Sequence, residues 1–138
     1  MITTEREYRI TKARIANPEQ ALAREQARTD LSPRMRQAHV DALASNIEVM
    51  AAEVREYEAL KAGRVQIRSA SLAELPTVLI QARIAHGWTQ KHLADLLGVN
   101  EQTIQRYEAT EYQGVALARL TRIAATLSVQ VVGMYATA

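Results

Sequence analysis

The side chains best suited to chemistry in this chain are amides, hydroxyls, acids and two cations gathered between Thr89 and Arg106. They fall into two clusters. The first is Thr89, Gln90 and Lys91; the second is Asn100, Glu101, Gln102, Thr103, Gln105 and Arg106. These are hydrogen-bonding groups rather than a nucleophile with its base. A glutamine amide can bond N6 and N7 of adenine together, which makes Gln102 the candidate base reader. Arg106 can read guanine or clamp a phosphate. Glu101 can accept from a cytosine amine or repel unsuitable sites. Thr89, Gln90 and Lys91 suit backbone phosphates, helped by the free amides at a helix start.

These groups need two short helices to hold them. Residues 89–108 read TQKHLADLLGVNEQTIQRYE. Thr89 is a suitable N-cap, since its hydroxyl can accept from a first-turn amide. Leu93, Leu96 and Leu97 then share one helical face. Ala94 is small where two helices must approach. Gly98 stands where a helix ends in a left-handed residue. Val99 can plug the turn into a core, and Asn100 caps the next helix. Ile104 and Tyr107 face inward, which leaves Glu101, Gln102, Gln105 and Arg106 outside. Two amphipathic helices around a tight turn, with polar residues at the start of each, form a helix-turn-helix whose second helix fits a major groove.

The stretch from about Leu75 to Leu127 resembles Cro/CI-type (XRE-type) helix-turn-helix domains. The matching residues are TQKHLADLLGV, NEQTIQRYEA and LARLTRIAATL. The resemblance implies a lambda-repressor-like domain and double-stranded DNA as partner. It implies that Gln90 clamps a phosphate, and that Asn100, Glu101, Gln102, Thr103 and Arg106 meet bases or backbone. It also implies that Glu108, at the end of the recognition helix, bonds structurally. The chain departs from the pattern twice. The loop after the recognition helix is ATEYQG, with an acid at Glu111, where the family is basic and Gly-rich. The family's fifth helix is replaced by a β-like stretch after Leu127.

Composition bounds the remaining possibilities. The chain has 138 residues, 48% of them hydrophobic, with 4% aromatics and no Phe. Alanine and leucine dominate, which argues for helices. There is no Cys, hence neither disulfide nor thiolate site. His39, His86 and His92 lack ligand spacing, so no metal and no cofactor is expected. No apolar run is long enough for a transmembrane span. The charged N-terminus (Glu5, Arg6, Glu7, Arg9) has no signal-peptide form, so a cytoplasmic protein without membrane attachment is expected. Net charge is +2, all of it in residues 63–138, so charge permits nucleic acid without announcing it.

The expected fold is mainly all-α. Residues 1–62 form an N-terminal helical hairpin or coiled-coil-like region for dimerisation or partner binding. Residues 63–138 form the helix-turn-helix domain with a short C-terminal strand. Residues 1–16 carry little signal beyond a helix that could open at Thr11. Asn17-Pro18-Glu19-Gln20 marks a helix start by cap, proline and capping box, and that helix runs to about Arg28. Ser32 and Pro33 start a long helix reaching about Lys61, before Gly63. In it Val40, Leu43, Ile47, Met50, Val54 and Tyr57 recur at spacings of three and four, a heptad seam. The seam serves either an intrachain hairpin or a homodimer. The opening EREYRITKARI is similar to the start of some bacterial XRE-type regulators with added N-terminal helices, several of which are antitoxins.

Between the halves, residues 65–68 alternate like a short strand. Ser71 and Glu74 have capping-box form, and Leu72, Leu75 and Leu79 give the next helix its core face. Trp88 is expected under the turn rather than on a base. Leu117, Leu120, Ile123 and Leu127 stripe the last helix. Residues 128–132, SVQVV, are strand-like. A lone strand needs a partner, either residues 65–68 or the same strand of a second subunit through Val129 and Val131. The expected function is a dimeric sequence-specific DNA-binding regulator, a repressor. The alternatives are an antitoxin that also holds a toxin protein, a scaffold that no longer binds DNA, and an enzyme, for which no phosphate loop or catalytic grouping exists.

Overall fold

The computed structural model describes residues 1–65, 67 and 71–132. They form seven α-helices and one 3-10 turn, with no strand among the described residues. The helices are α1 (Glu5–Arg14), α2 (Pro18–Gln26), α3 (Pro33–Lys61), α4 (Leu75–Ala85), α5 (Gln90–Leu97), α6 (Glu101–Ala109) and α7 (Leu117–Thr126). The chain divides into two compact units, Met1–Ala59 and Leu60–Ala138.

In the first unit, α1 is a helix that sequence periodicity does not signal. Its start is nonetheless written locally. Thr4 accepts from the Glu7 amide, and the Glu7 carboxylate reaches back to the Thr4 amide, a complete capping box. The expected capping box at Asn17 is absent: neither Asn17 nor Gln20 supplies a cap bond, and Pro18 alone marks the start of α2. Ser32 does cap α3, accepting from the Met35 amide at 3.3 Å.

The α3 seam is used within the chain. Val40, Val54 and Tyr57 are buried, while Leu43, Ile47 and Met50 are half-buried. Tyr8 stacks on Tyr57 at 5.1 Å between centroids. Its hydroxyl donates to Glu58 at 2.6 Å, and Lys12 pairs with the same carboxylate at 2.8 Å. At the other end, Glu25 meets both Arg28 and His39. Ion pairs from α1 and α2 thus flank the seam, the role that charges beside a coiled-coil seam play between helices.

The second unit is built on Leu79, Leu93, Ile104, Ile123 and Leu127, each at most 2% exposed. Burying each contributes about 1.5–3 kcal/mol. Three leucines expected inside are outside. Leu72 is 71% exposed because it lies in the 3-10 turn ahead of α4 rather than on the helix. Leu96 is 48% and Leu117 76% exposed, each at the edge of its helix's apolar stripe. The strand expected at residues 128–132 does not form. Ser128 takes a left-handed conformation (φ 57), and the Val129 amide is spent on the Ala124 carbonyl at 2.8 Å, closing the end of α7. Its expected partner strand falls partly on residues 66 and 68, outside those described.

The loop between α6 and α7 holds two consecutive non-glycine residues at positive φ, Glu111 and Tyr112. Burial of the Tyr112 ring, 4% exposed, holds the loop there, and its hydroxyl has no hydrogen-bond partner. Burial, followed by the nearby Glu108 charge, raises the phenol above its ordinary value of 10.0. A raised folded value means that this stability is complete below pH 10 and falls as pH rises beyond it, because the unfolded chain releases the proton first. Tyr112→Phe removes a buried unsatisfied group and is expected to raise stability by about 1 kcal/mol. It is also expected to flatten the alkaline decline of stability. Denaturant unfolding at pH 8 and pH 10.5 measures both effects, and a variant less stable than the parent at pH 8 contradicts this account.

Candidate nucleic-acid interface

The interface residues lie on α5, the turn at Gly98, and α6. Thr89 caps α5 by accepting from the His92 amide at 3.0 Å. The turn closes through the left-handed Gly98 (φ 68), with the Gly98 and Val99 amides donating to Asp95 and Ala94 carbonyls. A side chain at Gly98 would meet no steric clash, so the requirement for glycine is conformational. Asn100 caps α6: its Oδ1 accepts from the Thr103 amide at 3.0 Å and the Thr103 hydroxyl at 2.7 Å.

Beneath this pair of helices lies a buried ion pair. Arg83, on α4, donates through Nε and Nη2 to the two carboxylate oxygens of Glu108, on α6, at 2.6 and 2.8 Å. Its Nη1 donates to the Trp88 carbonyl at 2.8 Å. The side chains are 3% and 2% exposed. Gln90, the first residue of α5, completes the network by donating Nε2 to Glu108 Oε2 at 2.7 Å. One bidentate pair therefore joins α4, α5, α6 and the segment before α5. The sequence reading expected a structural Glu108 but missed Arg83. The available signal was a lone arginine between Ala82 and Ile84 in a helix with no other charged residue.

The α6 faces divide as the spacing predicts. Ile104 and Glu108 are buried and Tyr107 is half-buried, while Glu101, Gln102, Gln105 and Arg106 are exposed. Arg106 lies over the Tyr107 ring at 5.9 Å. Thr103 is engaged with Asn100 and Gln90 with Glu108, so neither side chain is free. Lys91 is exposed and pairs with Asp95, which raises its pKa. Trp88 is half-buried, stacked on His86 at 4.4 Å and tilted against His92 at 5.1 Å. His86 Nε2 lies 3.0 Å from the Leu127 carbonyl.

Residues 79–133 match the family model for helix-turn-helix domains. This segment is a helix-turn-helix domain of the Cro/CI (XRE) type. It is a DNA-binding, transcription-regulating kind of domain. The match runs from within α4 through α7 and leaves residues 1–78 and 134–138 outside it. No curated protein and no solved structure matches the chain. No described helix is long and apolar enough to cross a membrane.

The ion pair makes the helix-turn-helix domain sensitive to single truncations. Arg83→Met strands a buried carboxylate and is expected to cost about 3–5 kcal/mol. Combining it with Glu108→Leu should cost far less than the sum of the two single changes. Urea unfolding of the three variants measures this coupling, and simple additivity would refute it.

Proposed function

We infer that the chain is a dimeric, sequence-specific DNA-binding repressor that places α6 in the major groove. The observation carrying this reading is the division of α6, whose buried Ile104 and Glu108 anchor a helix with Glu101, Gln102, Gln105 and Arg106 exposed. A helix so anchored presents its polar face with little further backbone ordering on binding. Gln102 reads adenine through its amide, and Arg106 reads guanine or holds phosphate. Glu101 selects for cytosine, and Gln105 lies beside them on the same face. Gln90 reaches phosphate with its remaining amide hydrogen, its orientation held by Glu108. Thr89, Lys91, Asn100 and Thr103 set register on the backbone.

The two copies pair through the C-terminal stretch. Val40, Val54 and Tyr57 are already occupied within the chain. By contrast, Val131 is 59% exposed, and, among the described residues, 130–132 have no backbone hydrogen-bond partner. Val129 is half-buried beside them. The half-sites then lie about 34 Å apart, one helical turn, or a multiple of it.

A second reading makes the chain an antitoxin, with the first unit holding a toxin protein. The compact unit Met1–Ala59 supports it, with Met35 and Val49 exposed on α3. Its test is co-purification with the product of the adjacent gene, and retention of that product by the Val49→Asp variant counts against it.

Gln102→Ala is expected to cost about 1–3 kcal/mol at one base position and to relax preference there. Selection from a random duplex library measures it; an unchanged consensus removes Gln102 from base reading. Val131→Asp is expected to yield monomers in sedimentation and to weaken binding to a two-half-site duplex. A variant that stays dimeric excludes this pairing surface.

A further inference from the structure

Helix α5 carries its charges the wrong way round for its own stability. Lys91 stands in the first turn, where the helix dipole favours anions, and Asp95 stands near the end, where it favours cations. The pair runs Lys-to-Asp at a spacing of four, the less favourable orientation. Both side chains are open to solvent, 66% and 62% exposed, so the bridge adds little to folding. Its geometry is nonetheless complete: Lys91 Nζ lies 3.0 Å from one Asp95 oxygen and 3.3 Å from the other. Glu101, at the start of α6, adds a second negative charge acting on the same ammonium.

On the DNA-binding reading above, the N-terminal end of α5 approaches a phosphate. Lys91 is the cation placed there, and Asp95 is its internal counter-ion. We propose that Asp95 is an electrostatic brake on DNA affinity, holding Lys91 so that the ammonium must exchange a carboxylate for a phosphate. The exchange has two consequences. The bridge is lost on binding, and Asp95 is left unpaired near DNA, where it takes a counter-ion back. Fewer net ions are released than the number of phosphate contacts implies, so binding responds weakly to salt. The brake acts on backbone contact, so it lowers affinity for unrelated DNA as well as for a specific site, and binding comes to depend on both subunits engaging together. The inference rests on the DNA-binding reading but assigns Asp95 a role that reading does not need.

The test uses the full chain and two duplexes: its own upstream intergenic DNA and an unrelated sequence of equal length. Anisotropy titrations at several salt concentrations compare the parent, Asp95→Asn, Lys91→Met and the double variant. Circular dichroism confirms helix content in each. Asp95→Asn is expected to tighten binding to both duplexes by roughly two- to fivefold per subunit. It is expected to steepen the log–log salt slope by about 0.9 per subunit. Both gains should vanish in the Lys91→Met background. Unchanged affinity and slope in Asp95→Asn overturn the brake while leaving the DNA-binding reading intact, and an equal gain without Lys91 overturns it too. A parent that binds neither duplex at low salt overturns the DNA-binding reading, and the brake with it.

Discussion

The bidentate bond between Arg83 and Glu108 is the interaction on which the rest of the helix-turn-helix domain depends. A buried ion pair rarely adds net stability, because both charges lose their water. What it supplies here is geometry. Arg83 offers a fixed fork of donors, Glu108 accepts two of them, and the third reaches the Trp88 carbonyl just before α5. The apolar core of Leu79, Leu93, Ile104 and Ile123 brings α4 to α7 together but tolerates small slides. The ion pair tolerates few. It sets where α6 ends relative to α4, and through Gln90 it sets where α5 begins. An interface that reads bases needs that registration, since a misplaced amide loses its paired hydrogen bonds.

The surface above this pair is nearly balanced in charge. Lys91 and Arg106 stand among Asp95, Glu101 and Glu111. Such a face gains little from long-range attraction to phosphates. On the proposed reading, affinity comes from hydrogen bonds of the α6 side chains and from a second copy doubling the interface, as suits a regulator that discriminates among sites. The acid at Glu111 is seated in a strained loop, where the buried Tyr112 ring stands beside a left-handed Gly114. That loop is where the chain departs most from the basic pattern its sequence resembles.

The first unit shows how one pattern serves two readings. Heptad spacing says only that a helix wants a partner along one stripe. Here α1 and α2 of the same chain take that place, with Tyr8, Lys12 and Glu25 bonding to residues beside the stripe. The middle residues Leu43, Ile47 and Met50 keep part of their surface.

Local physics was legible in the sequence. Caps at Thr89, Asn100 and Ser32, the left-handed Gly98, the long α3 and the inward Ile104 all follow from interactions within four residues. The Thr4–Glu7 capping box was equally local, but with no apolar period behind it the signal stood alone. Exposure of Leu72, Leu96 and Leu117 was decided by which neighbours arrived, and a leucine does not record its neighbours. The strand-like valines after Leu127 lacked a ladder partner among the described residues, so the first of their amides closed a helix instead. Sequence alone therefore determined α2 to α7 and the helix-turn-helix, because hydrogen bonds and side-chain periods act over one or two turns. Only the tertiary structure decided that Arg83 meets Glu108 and that Glu108 holds Gln90, because the ion pair joins residues 25 positions apart and exists only once the helices have packed.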